Sequence, residues 1–76
     1  MFLYQVIRET LYHEDIGSYI SYGPKVLFLS YGIYEEITKV SDISIDRNAV
    51  TLLAEQCTKG QLYPVHLMDV IEDFLN

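Results

Sequence analysis

The sequence predicts an α+β fold: a three-stranded antiparallel meander, with a second strand that could be split, followed by a C-terminal two-helix hairpin packed on one face. Three observations predict it. Up to Val40 the chain is built from short runs of β-branched and aromatic residues with alternating character. From Ser44 onward apolar residues recur at helical spacing. The connections between the extended runs are too short for a crossover, so the strands must be antiparallel neighbours.

The first strand is expected over Phe2–Tyr12. There Phe2, Tyr4 and Val6 alternate with Leu3, Gln5 and Ile7, and Arg8, Glu9 and Thr10 make the end polar. His13-Glu14-Asp15-Ile16-Gly17 is a polar connection punctuated by glycine. The second strand is expected over Ser18–Ser30. Gly23-Pro24 interrupts it, and proline cannot donate to a ladder, which makes this point an edge position, a bulge or a break. Ser30-Tyr31-Gly32 is a turn, and Ile33–Val40 is the third strand.

The period then changes. Ser44 is the expected N-cap of the first helix, with Asp46 in its first turn. Val50, Leu53, Ala54 and Cys57 follow at i, i+3, i+4 and i+7. Lys59 suits the C-terminal end, and Gly60 the left-handed cap. Pro64 stands at the first position of a second helix, whose stripe is Leu67, Val70, Ile71, Phe74 and Leu75. Residues 1–76 are read as one domain, 1–41 the strand region and 44–76 the helical hairpin.

With 76 residues, half of them apolar, a single small core is feasible and disorder is not expected. The longest apolar run, Val26-Leu27-Phe28-Leu29, is far short of a membrane-spanning helix, and no basic segment precedes the apolar N-terminus. A single cysteine, Cys57, excludes an internal disulfide and fits a reducing compartment, so the expected location is the cytoplasm. Eleven acidic residues against five basic give a formal charge of −6, and the cations stand singly at Arg8, Lys25, Lys39, Arg47 and Lys59. That balance argues against nucleic acid and is compatible with a basic protein partner.

The segment Ser41-Asp42-Ile43-Ser44-x-Asp46-Arg47, followed by Gly60-x-Leu62-x-Pro64-x-His66-Leu67-x-Asp69-Val70-Ile71-Glu72-Asp73-Phe74-Leu75, resembles a family of short uncharacterised proteins of Gram-positive bacteria. The resemblance extends over Tyr19–Leu75 and includes the tyrosine-rich stretch from Tyr22-Gly23 to Ile37. Tyr63 departs from the small hydroxyl cap expected before the proline, and Pro24 from an ordinary strand residue. The resemblance implies a single domain of unknown function and supplies no catalytic residues.

His66, Asp69 and Asp73 share one face of the second helix. With His13, Glu14 or Asp15 they could supply imidazole and carboxylate ligands to zinc or manganese, but any amphipathic helix needs such a polar face, and no metal or other cofactor is expected. Asp69, Glu72 and Asp73 are expected in the last two turns, where the helix dipole disfavours carboxylates. With His66 they form the candidate contact for a basic partner. Seven tyrosines, six of them before residue 35, suit half-buried strand positions. They also suit an interface, with Tyr19, Tyr22, Tyr31 and Tyr34 as candidate contacts of a homodimer. Cys57 lies on the apolar face of its helix and is read as core. No residues assemble an acid, a base and an oxyanion site, so the chain is read as a non-enzymatic interaction or regulatory module. The alternative is a helix–turn–helix nucleic-acid binder, against which stands an acidic second helix.

Overall fold

The computed structural model describes residues Met1–Asn76. It comprises β1 (Phe2–His13), β2 (Gly17–Ser30), β3 (Ile33–Lys39), α1 (Arg47–Lys59), a 3-10 turn at Pro64–His66, and α2 (Leu67–Leu75). The strands form one antiparallel sheet in the order β1-β2-β3. β1 and β2 pair continuously from Phe2 opposite Phe28 to His13 opposite Gly17. This hairpin gives the molecule its long dimension of 45 Å, and its far end, with Tyr12 and Ile16 exposed, projects past the core. The hairpin turns on the Ile16 amide donating to the His13 carbonyl, with Gly17 at φ +80°. The β2–β3 turn is tighter. Tyr31 and Gly32 both have positive φ (52° and 77°), the pattern of a type I′ turn, which asparagine and glycine adopt with least strain.

Gly23-Pro24 does not split β2. Pro24 pairs with Val6 inside the ladder. The ladder alternates so that even-numbered β2 residues turn their backbone groups away from β1, and on that side β3 pairing reaches only as far as Lys25. The missing N–H therefore faces a position without a strand partner, the edge alternative. The irregularity in register lies instead between Val26 and Leu27 opposite β3. After Lys39 the chain leaves β3, and the Val40 carbonyl passes over Gly23. A Cβ on Gly23 would stand 1.9 Å from that oxygen, so only glycine admits the crossing. The chain then returns to the β2 edge, where the Tyr22 amide donates to the Ser44 carbonyl at 2.8 Å.

Both caps of α1 differ from expectation. The N-cap is Asp46, not Ser44: its carboxylate accepts from the amides of Asn48 (3.0 Å) and Ala49 (3.3 Å), while the Ser44 hydroxyl accepts from the Asp46 amide. Asp46 wins because it stands immediately before the first helical residue, with two unpaired amides in reach. At the other end Gly60 is right-handed (φ −83°), and Gln61 takes the left-handed position at φ +48°. The amides of Gln61 and Leu62 donate to the carbonyls of Thr58 and Cys57, which closes a Schellman motif one residue later than the glycine suggests.

The core lies between the helices and the end of the sheet nearest Phe2. Tyr4 and Val26, directly opposite in register, meet Leu53, Ala54 and Cys57 of α1 and Leu67 and Ile71 of α2. Pro64 begins a 3-10 turn rather than α2 itself, so α2 has nine residues. Leu67 and Ile71 are buried, Val70 and Phe74 half-buried, and Leu75, expected in the stripe, is 59% exposed because the helix ends there. Side-chain groups at the C-terminal end of α1 bind the outer edge of β1. The Gln61 side chain accepts from the Phe2 amide and donates to the Phe2 carbonyl, both at 2.9 Å, and the Thr58 hydroxyl accepts from the Tyr4 amide at 2.8 Å. They satisfy this edge at Phe2 and Tyr4, where it would otherwise be open to another strand.

Candidate functional site

His66, Asp69, Glu72 and Asp73 are all exposed. Asp69 falls in the first turn of the shortened α2, where a carboxylate is favoured, so only Glu72 and Asp73 oppose the dipole. Neither Arg47 nor Lys59 lies within ion-pair distance of them; the sole pair of that kind is His13 with Asp15, at 3.8 Å in the β1–β2 turn. No three His, Cys, Asp or Glu side chains converge closely enough to hold a metal ion.

The four candidate tyrosines are divided between faces. Tyr19 and Tyr34 lie on the face opposite the helices, since Tyr34 pairs with Leu29 and Tyr19 with Leu11. Tyr22 pairs with Arg8 on the helix side. Tyr31 occupies the β2–β3 turn, fully exposed and in a left-handed conformation unusual for an aromatic residue. The Tyr19 hydroxyl donates to Asp42 at 2.8 Å, and that carboxylate, with a smaller effect from burial, raises the phenol above its ordinary pKa.

The face opposite the helices carries Leu3, Ile7 and Leu11 from β1 and Leu27 and Leu29 from β2, all half-buried and none covered by a helix. One part is covered, by the crossing segment after Val40. There the Ser41 hydroxyl donates to Glu9 Oε2 at 2.6 Å, and Glu9 Oε1 is shielded from solvent without a hydrogen-bond partner. All seven β3 residues are exposed, including Ile33 at 69% and Ile37 at 48%.

On the helix side, just beyond the core, a cleft of about 340 Å³ is bounded by Val6, Arg8, Tyr22, Arg47 and Thr51. β1 places Arg8 opposite Tyr22, and α1 places Arg47 one turn before Thr51, whose hydroxyl donates to the Arg47 carbonyl. The cations read as single along the sequence thus include two that the fold brings to one cavity. The signal that could have found them was period: Val6 and Arg8 share a strand face, and Arg47 and Thr51 a helix face. A smaller cavity of about 210 Å³ lies between the helices, lined by Leu53, Cys57, Leu62 and Val70. Burial pushes the Cys57 thiol up, and burial followed by the neighbouring Cys57 pushes the Tyr4 phenol up to about 12, so neither supplies an anion at neutral pH.

No helix is long and apolar enough to cross a membrane. Compared with known protein families, residues 1–76 match a family described as a family of unknown function, DUF6514. No curated protein and no solved structure matches.

Proposed function

The chain belongs to this family of unknown function over residues 1–76, and from that premise we propose that it is a non-enzymatic interaction module that pairs with a second copy of itself. The surface used is the sheet face left bare by the helices. One observation carries the reading: half the residues are apolar, yet only 11 of 76 are buried. Leu3, Leu27 and Leu29, all half-buried, adjoin on one side of a single-layer sheet, with half-buried Ile7 beyond Gln5 and Lys25 on the same side, and apolar faces without a covering layer mark interfaces. Charge supports self-pairing. Lys25 sits on this face without an ion-pair partner, and Glu36, opposite Leu27, is exposed on the same face. A two-fold axis repeats every contact, so one copy's lysine can meet the other's carboxylate. Tyr34 lies on this face too, and Tyr31 holds a strained, fully exposed position beside it, where asparagine would be less strained.

Sedimentation equilibrium tests the proposal. Twice the chain mass is expected, and Ile7→Lys with Leu29→Lys should give the single-chain mass with an unchanged circular dichroism spectrum. A monomer at millimolar concentration would overturn it.

A second contact rests on Asp69, Glu72, Asp73 and His66, exposed carboxylates and an imidazole with no cation nearby. They suit a basic protein partner. Capture from the native host with and without the amide variants of the three carboxylates tests this contact, and equal recovery of the same basic protein would dismiss it. The free, buried Cys57 suits a reducing compartment, which supports the cytoplasm as its location. The helix–turn–helix reading has less support, since α2 would present acidic side chains to phosphates. A mobility shift at low salt would reinstate it.

A further inference from the structure

We propose that the cleft between Arg8 and Arg47 binds a phosphate monoester as its dianion. This chain has five basic residues and a formal charge of −6, so carboxylate partners are abundant. Even so, neither arginine has a carboxylate within ion-pair distance, and both line one cavity. The one acidic residue adjacent to Arg47 in sequence, Asp46, is engaged as the N-cap of α1, accepting from Asn48 and Ala49. Two cationic side chains line this one cavity, so an anion bound in it is attracted from both walls. Each presents a planar fork of donors that matches a phosphate edge.

The remaining walls say which phosphate. The cavity volume of about 340 Å³ exceeds that of a bare tetrahedral anion, and Val6 and the ring of Tyr22 form apolar walls for the esterified group. The Tyr22 hydroxyl makes no hydrogen bond within the chain and is free to donate. Thr51 fixes the turn that carries Arg47 by donating to its carbonyl at 2.8 Å. The overall negative charge disfavours a polyanion such as a nucleic acid, whereas a small dianion meets it only over a short distance. The cleft is on the helix side of the sheet, so it stays open whichever way the bare face pairs.

The test is an NMR titration of the full chain at about pH 7.5, where the monoester is a dianion, using phenyl phosphate, glucose 6-phosphate, inorganic phosphate and sodium chloride. Saturable shifts at Tyr22, Thr51 and both arginine side chains are expected with the monoesters. The stronger of the two identifies an aromatic phosphate, as on a peptide side chain, or a sugar phosphate. Arg8→Gln and Arg47→Gln should each weaken binding about tenfold or more, and Arg47→Lys should restore part of it, since it keeps the charge and loses the fork. Binding should weaken as pH falls through about 6, where the dianion takes up one proton and becomes the monoanion. Both arginines are exposed, so the variants should keep the wild-type spectrum elsewhere. Non-saturating shifts, shifts equal to those with chloride, or binding unchanged in both glutamine variants would overturn the proposal. So would tighter binding of a short oligonucleotide at the same residues.

Discussion

Gln61 does two opposed things, and two substitutions separate them. Its side chain forms three hydrogen bonds: from the Phe2 amide (2.9 Å), to the Phe2 carbonyl (2.9 Å) and to the Thr58 carbonyl (2.7 Å). Its backbone meanwhile sits at φ +48°, where a side chain is strained. At an exposed site each neutral hydrogen bond contributes about 0.5 kcal/mol, the low end of the usual range, so three give about 1.5 kcal/mol. The left-handed conformation costs a non-glycine residue about 1 kcal/mol. Gln61→Ala loses the bonds and keeps the strain, so it should be about 1.5 kcal/mol less stable than wild type. Gln61→Gly loses the bonds and relieves the strain, so it should be about 0.5 kcal/mol less stable. For a domain of this size these correspond to drops in Tm of roughly 6–12 °C and 2–4 °C. Urea unfolding followed by circular dichroism measures both, and hydrogen exchange at the Phe2 amide should quicken in both. Equal losses in the two variants would refute the strain. Full stability of Gln61→Ala with an unchanged Phe2 exchange rate would refute the idea that this side chain substitutes for a neighbouring strand.

Gly23→Ala should cost about 3 kcal/mol, because its Cβ would stand 1.9 Å from a backbone oxygen that has to move. A loss below about 1 kcal/mol in urea unfolding would mean the crossing at Val40 gives way easily. Tyr4→Phe removes the hydrogen bond to the Leu62 carbonyl and should cost about 1 kcal/mol at neutral pH. It should also alter alkaline behaviour. The folded-state phenol is raised from 10.0 to about 12, so the unfolded chain ionises first, and stability present below pH 10 falls as pH rises to about 12. Cys57, raised from 9.0, begins a similar loss earlier. Tyr4→Phe should keep the cysteine part of the slope and lack the tyrosine part, and identical slopes in stability against pH would contradict the burial argument. On α2, Glu72→Gln with Asp73→Asn should raise Tm slightly and Asp69→Asn should lower it, since Asp69 alone is in the first turn. Shifts of the same sign in calorimetry would show that the dipole does not govern them.

The parts of this fold that were legible in the sequence are those set by period and by steric punctuation. Alternation placed β1, β2 and β3 within a residue or two, and the i, i+3, i+4 spacing located Val50, Leu53, Ala54 and Cys57 on the buried side of α1. The two misplaced caps of α1 concern competition between neighbours for one role. Ser44 and Asp46 are both good caps, and the choice depended on where the chain re-entered from the β2 edge, which the Tyr22–Ser44 pairing decides. Gly60 is the better residue for a left-handed cap, yet Gln61 takes that position while its side chain hydrogen-bonds to Phe2, near the other end of the chain. A local preference of about 1 kcal/mol was outweighed by contacts that local pattern cannot contain.

The same reasoning explains why the candidate sites divide as they do. An acidic face on one helix is a local pattern, so His66, Asp69, Glu72 and Asp73 can be grouped from sequence, and all four are exposed. The tyrosines were grouped by abundance, which carries no facing information, and the ladder sends Tyr22 to the side opposite Tyr19 and Tyr34. Arg8 and Arg47 belong to different elements, and nothing short of the register can bring them together. Val6 opposite Pro24 and Arg8 opposite Tyr22 set one wall of the cleft, and α1, held by its buried stripe, brings Arg47 and Thr51 to the other. Arg47 precedes the buried Val50 by three residues, so the stripe of Val50, Leu53, Ala54 and Cys57 fixes its direction around the helix axis. Period therefore gives the face on which each arginine stands, and only the docking of α1 against β1, which no local pattern contains, brings the two faces to one cavity.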